Sequence, residues 1–225
     1  MQQHIALLGD SIFDNRAYTN GAPDVVAHLR ALLPPGWKAS LIAVDGSTAA
    51  DLEAQLGKVP AEATHIVISV GGNDAILNSD LLDLPVTSTA EALDVFGQRA
   101  QAFASAYCAA IDAALRLNRR TTVCTIYNGN LGGNRGWLAS VALTVFNNVI
   151  FRTAFARGIS VIDLGLVCTE PSDYANPIEP SDLGGRKIAE AIRLSLNEAK
   201  DGSPHSRVYG RPRETRLGEK GTIVE

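Results

Sequence analysis

The feature that most constrains this chain is an alternation. Short apolar runs, each too brief for a helix, end in turns of glycine and small polar residues, and a segment with helical spacing follows. The clearest run is His65-Ile66-Val67-Ile68-Ser69-Val70, which breaks at Gly71-Gly72-Asn73-Asp74. Residues 4–8 form a similar strand ended by Gly9, and residues 37–44, 121–127 and 159–164 supply three more. Helical spacing predicts helices over 22–33, 49–57, 89–117, 137–157 and 183–198. Pro34-Pro35-Gly36 stops the first of these, and Leu138, Val141, Ala142, Val145 and Val149 share one face of the fourth. Residues 75–88 read as a loop or short lid, and 128–135 as a glycine- and asparagine-rich loop.

The strands are apolar throughout and do not alternate with polar residues. Such strands are buried on both sides, so the expected fold is a three-layer α/β/α sandwich around a parallel, flavodoxin-like five-stranded sheet. The domain is expected over residues 1–200. Residues 201–225 have many charges, glycines and prolines and little periodicity, and read as a flexible tail. A length of 225 residues with 46% hydrophobic content suffices for one such core.

A net charge of −4 argues against a nucleic-acid binder, which would carry a basic stripe. The first residues lack a basic segment followed by an apolar one, and no apolar run approaches the roughly 18 residues of a membrane span. Cys108, Cys124 and Cys168 are widely spaced and show no CxxC pattern, so free thiols are expected. Together these features predict a cytoplasmic protein without metal or organic cofactor. Oligomeric state is left open.

In a parallel sheet, ligands sit beyond the carboxyl ends of the strands. Three polar turns fall there: Gly9-Asp10-Ser11, Asp45-Gly46-Ser47 and Gly71-Gly72-Asn73-Asp74. Singly, each is ordinary turn chemistry. Together they bring a serine, backbone N–H groups and an asparagine amide to one edge.

These motifs resemble those of the GDSL, or SGNH, hydrolases. Gly9-Asp10-Ser11-Ile12 is similar to the family's first block, with Ile for the usual Leu. Gly46 resembles the glycine of the second, and Gly72-Asn73-Asp74 the third. The segment Pro180 to Ala189 is similar to the stretch just after the family's catalytic histidine, so the likeness spans about residues 4–195. The resemblance implies that Ser11 attacks an ester carbonyl, while the N–H groups of Ser11 and Gly46 and the amide of Asn73 receive the oxyanion. Asp10, Asp14, Asn15 and Asp74 are the further candidates around the substrate. Asp10 is expected to fix its turn, Asp74 to be structural, and Asp14 and Asn15 either to line the mouth or to cap the next segment.

The fifth block departs from the family. Asn176 stands where Asp is expected and Glu179 where His is expected. His4 and His65 fall at the opposite edge, His28 in the first helix and His205 in the tail. Glu179 is therefore the candidate base, with Asp173 nearby. A free glutamate has a pKa of about 4.3 against about 6.5 for histidine, so the role requires burial to raise it. The alternative is that Glu179 caps or pairs with the last helix through Arg186 or Lys187. Two functions are consistent with these residues: an ester hydrolase with an atypical base, acting on a small-molecule ester, or a non-catalytic binding module on the same scaffold. A phosphate-binding flavodoxin-like protein is disfavoured, since no P-loop or dinucleotide fingerprint is present.

Overall fold

The computed structural model describes residues 2–196. Five parallel strands, β1 (His4–Gly9), β2 (Lys38–Leu41), β3 (His65–Ser69), β4 (Arg120–Cys124) and β5 (Ser160–Ile162), form one sheet in the order β2-β1-β3-β4-β5. The period of two along each strand divides the continuous apolar runs between two cores. Ile5 and Leu7 of β1 face one side and Ala6 and Leu8 the other. The first core is closed by α1 (Val25–Leu32), the short α6 (Leu164–Val167) and α7 (Asp182–Leu196). The second is closed by α2 (Leu52–Leu56), α4 (Thr89–Arg116) and α5 (Gly133–Arg157), with α3 (Gly72–Leu77) at its upper edge. This is the three-layer α/β/α sandwich, and its parallel sheet places all five strand C-termini on one edge.

Local chemistry sets the helix starts. Asp24 caps α1 by accepting from Ala27 N, and Ser88 caps α4 by accepting from Glu91 N. Ser181 Oγ accepts from Gly184 N at the head of α7. Gly158, in the left-handed region with φ 64°, ends α5.

Expectations for two segments need correction. Residues 75–88 are not simply a loop. The short helix α3 starts within the glycine turn, and a 3-10 turn (Ser79–Asp83) comes after it. Next, α5 begins at Gly133, inside the predicted 128–135 loop. The face that Leu138 and Val141 share is not buried throughout, with Leu138 40% and Val141 47% exposed. α5 is long and apolar enough to cross a membrane by length and composition alone, although polar residues interrupt its apolar run. Its buried residues Phe146, Ile150 and Ala154 pack in the second core. The expected tail 201–225, and the end of the last predicted helix beyond 196, lie outside the described residues.

Candidate active site

Gly9 ends β1 with φ +127°, and a Cβ there would lie 1.7 Å from the Ser69 carbonyl oxygen. Only glycine permits this approach of β1 to β3. Asp10 N then donates to Ser69 O at 3.0 Å, and Asp10 Oδ1 accepts from Ile12 N at 3.1 Å. The chain turns sharply and leaves Ser11 at the head of a cavity, itself 8% exposed.

Ser11 Oγ donates to Glu179 Oε1 at 3.0 Å, across 168 residues of sequence. Neither expected pairing of Glu179 with α7 forms: Lys187 Nζ lies 2.7 Å from Asp173 Oδ1, and Arg186 bonds Glu190. Asp173 is fully buried and committed to that lysine and to Glu170 N, so it does not join Ser11. Asn176 holds the Glu179 loop through backbone. Its Oδ1 accepts from Ile178 N and Glu179 N at 2.9 and 3.0 Å. Glu179 Oε2 is left buried without a hydrogen-bond partner among the described residues. Burial pushes the Glu179 carboxyl up to about 7; the Ser11 hydrogen bond opposes the shift and the Asp45 charge adds to it. Asp10 is raised to about 8, mainly by burial. Its bond from Ile12 opposes this, and the charges of Glu179 and Asp74 reinforce it.

Side-chain bonds tie the turns into one rim. Asp14 Oδ2 accepts from Asp45 N, joining the first turn to the second. Asn73 Nδ2 donates to Ser47 O at 3.0 Å, and Asp74 Oδ2 accepts from Ala49 N, joining the second to the third. Asn73 faces the cavity, and one of its two amide protons remains beyond the bond to Ser47. Gly46 has φ +82°, and among the described residues neither its N–H nor that of Ser11 donates to a backbone or side-chain acceptor. Asn15 has no exposed surface and takes the capping alternative: its Oδ1 accepts from Val25 N, and its Nδ2 donates to Pro180 O. Asp74, too, serves the second turn and does not line the cavity.

Two contributors went unread in the sequence. Gln55 Oε1 accepts from Gly9 N and Nε2 donates to Gly9 O, both at 2.8 Å, and Nε2 also reaches Ser47 Oγ at 3.1 Å. Its sequence signal was a polar residue within the buried stripe Leu52, Gln55, Leu56. Tyr127 Oη donates to Ile178 O at 2.7 Å and steadies the loop that carries Glu179. The tyrosine ends the predicted fourth strand, but its partner lies too far along the chain to be read.

The cavity measures about 350 Å³ and lies between the α3 roof, α4 and α5. Its charged wall residues are Asp10, Glu179 and Arg135, the last held in a two-bond pair with Asp83.

Among solved structures, the extracellular lipase of Streptomyces rimosus superposes with a TM-score of 0.63 at 17% identity, covering 86% of this chain and 99% of that one. The phospholipase A1 of Streptomyces albidoflavus gives 0.65 at 16% identity, with 87% and 100% covered. An acetylxylan esterase from Geobacillus stearothermophilus gives 0.63 at 16%, with 88% and 96% covered. At these identities the likeness establishes the fold. Comparison with curated protein sequences yields no match. The model of the GDSL-like lipase/acylhydrolase family matches residues 7–187, most of the domain, and the chain belongs to that family.

Proposed function

We propose that this protein hydrolyses an ester through Ser11, with Glu179 as its general base. The observation that carries the reading is the 3.0 Å hydrogen bond from Ser11 Oγ to a buried carboxylate whose pKa is lifted to about 7. A base near neutrality combines a useful ionised fraction with enough basicity to accept the serine proton. Membership of a lipase/acylhydrolase family supports ester hydrolysis in general.

In this reading Ser11 Oγ bonds to the ester carbonyl carbon while its proton passes to Glu179 Oε1. The carbonyl oxygen becomes an oxyanion received by the N–H groups of Ser11 and Gly46 and the remaining amide proton of Asn73. Collapse breaks the bond to the leaving alcohol, which takes the proton from Glu179. Water then attacks the acyl-serine, gives a proton to Glu179, and the proton returns to Ser11 as the acid departs. Asp10, neutral below about 8, spares the oxyanion a neighbouring negative charge.

The test is turnover of p-nitrophenyl esters between pH 5 and 10. Activity should rise through about 7 as Glu179 ionises and fall above about 8 as Asp10 ionises. Ser11→Ala should remove the activity above background, and Glu179→Gln should lower kcat by roughly 10²–10⁴-fold and erase the rising limb. Undiminished turnover in Ser11→Ala would overturn the reading. One observation favours a binding module as the second reading: among the described residues Glu179 Oε2 has no hydrogen-bond partner to hold the carboxylate in its ionised form. Thermal stabilisation by an ester that the wild type never hydrolyses would support that alternative.

A further inference from the structure

The cavity beside Ser11 is larger and drier than a two-carbon acyl group requires. Beyond the polar head formed by Ser11, Asn73 and Glu179, its wall on α5 is a stripe of Ala139, Ala142, Leu143 and Phe146. These residues are spaced by three, one and three, which sets them on one helix face. Phe146 is buried and Ala139, Ala142 and Leu143 are half-buried, so this stripe borders the hollow while the neighbouring Leu138 and Val141 face outward. The remaining walls include Leu82 beneath the α3 roof and Phe96 on α4. Arg135 is occupied by Asp83, so it is not free to receive an acidic tail.

A second apolar groove, of about 510 Å³, lies on the other side of a thin partition. Leu81, Leu82, Phe96 and Ala142 line both spaces. Of these, Phe96 is the largest side chain and Ala142 the smallest. Both stand where the two spaces meet.

We propose that the cavity takes the acyl chain of the ester, an unbranched aliphatic chain of medium length, and that Phe96 sets the length limit. The inference rests on the reading of Ser11 as the nucleophile, which places the acyl carbonyl at the cavity head. At the roughly 30 Å³ occupied by a water-sized group, the volume holds on the order of ten such groups. Chains of roughly six to ten carbons therefore fill it without crossing the partition. An acetyl group would leave apolar walls facing water, forgoing the burial that favours the longer ester.

The experiment is a chain-length series of p-nitrophenyl esters from acetate to palmitate. For the wild type, kcat/KM should rise roughly two- to fourfold per methylene up to about eight carbons, then fall. Phe96→Ala should move the optimum to roughly twelve carbons or more by joining the two spaces. Ala142→Phe should lower the octanoate-to-acetate ratio of kcat/KM by on the order of 100-fold; measuring a ratio corrects for any loss of folded protein. A wild-type optimum at acetate, or a length profile unmoved in both variants, overturns the proposal. Failure of the Ser11 reading shows differently, as turnover undiminished in Ser11→Ala or absent at every length. Ser11→Ala protein then decides the cavity alone. Thermal stabilisation by the octanoate ester well above that by the acetate ester supports an acyl site, and equal shifts refute it.

Discussion

Ser11 and Glu179 lie 3.0 Å apart and are held by different means. The serine stands on the sheet. Its turn is pinned by the Gly9–Ser69 approach, by the Asp10 N to Ser69 O bond, and by the Gln55 amide clasping both backbone groups of Gly9. Glu179 hangs from an irregular loop. Ala175 N donates to Glu179 O, Asn176 gathers two backbone N–H groups, Tyr127 holds Ile178 O, and Asn15 reaches Pro180 O at 3.3 Å. A serine built into a strand end shares the stability of the core, whereas a glutamate on a loop depends on a few polar bonds. Damage on the serine side should therefore register mainly in folding, and damage on the glutamate side mainly in turnover.

The largest expected effect comes from Gly9→Ala. The added methyl meets Ser69 backbone at 1.7 Å, in a conformation that L side chains rarely adopt, so β1 and β3 must separate. Expected is a loss of about 4 kcal/mol or more, read as a fall in the urea midpoint or of roughly 10 °C in Tm. An unchanged midpoint would mean that the serine turn is no more rigid than the base loop, and the contrast would collapse.

Asp10→Asn sharpens the serine side further. The Asp10 carboxyl titrates near 8 when folded, against 3.8 for the ordinary group. The folded state thus favours the neutral acid. The resulting stability is complete below about 3.8 and is lost as pH rises through about 8. Asparagine keeps an acceptor for Ile12 N and carries no charge. Between pH 5 and 9 the variant should gain roughly 2–4 kcal/mol relative to wild type. Glu179, raised in the same direction, leaves a smaller slope of the same sign in both proteins. Parallel pH–stability curves for the two proteins would refute the assignment.

The same contrast explains what the sequence could disclose. The strand and turn around Ser11 are local: an apolar run, a glycine and an aspartate within a few residues announce them. The sandwich arises from apolar strands separated by periodic helices. The second and third turns were legible for the same reason, although the short helix α3 was masked by the glycines in which it begins. The 3.0 Å approach of Glu179 was not legible, because it closes across 168 residues and depends on Asn176, Tyr127 and Asn15. Gln55 was hidden among leucines whose burial it shares. On α5 the apolar spacing gave the helix but not which stripe packs. The exposed Leu138 and Val141 and the cavity-lining Ala139 and Leu143 look alike until α4 and the roof are in place.

The smallest expected effect, and the one that tests the glutamate side alone, comes from Tyr127→Phe. The ring is buried and stands edge-on to Tyr174 at 5.1 Å, contacts that phenylalanine preserves. Only the hydrogen bond to Ile178 O is lost, which should cost about 1 kcal/mol of stability. A looser loop lets Glu179 drift from Ser11, and misplacement by a fraction of an ångström is costly in proton transfer. We expect kcat to fall about tenfold with KM changed less than twofold, since the bond acts on the base and not on substrate binding. The rising limb of the pH profile should move down, because a loosened Glu179 meets more water and loses part of the burial that raises it. A purely structural tyrosine would reduce stability and leave that limb in place. A shift of the limb without a comparable loss of Tm would separate the two sides of the site: the strand end would set whether the protein folds, and the loop the proton affinity of Glu179.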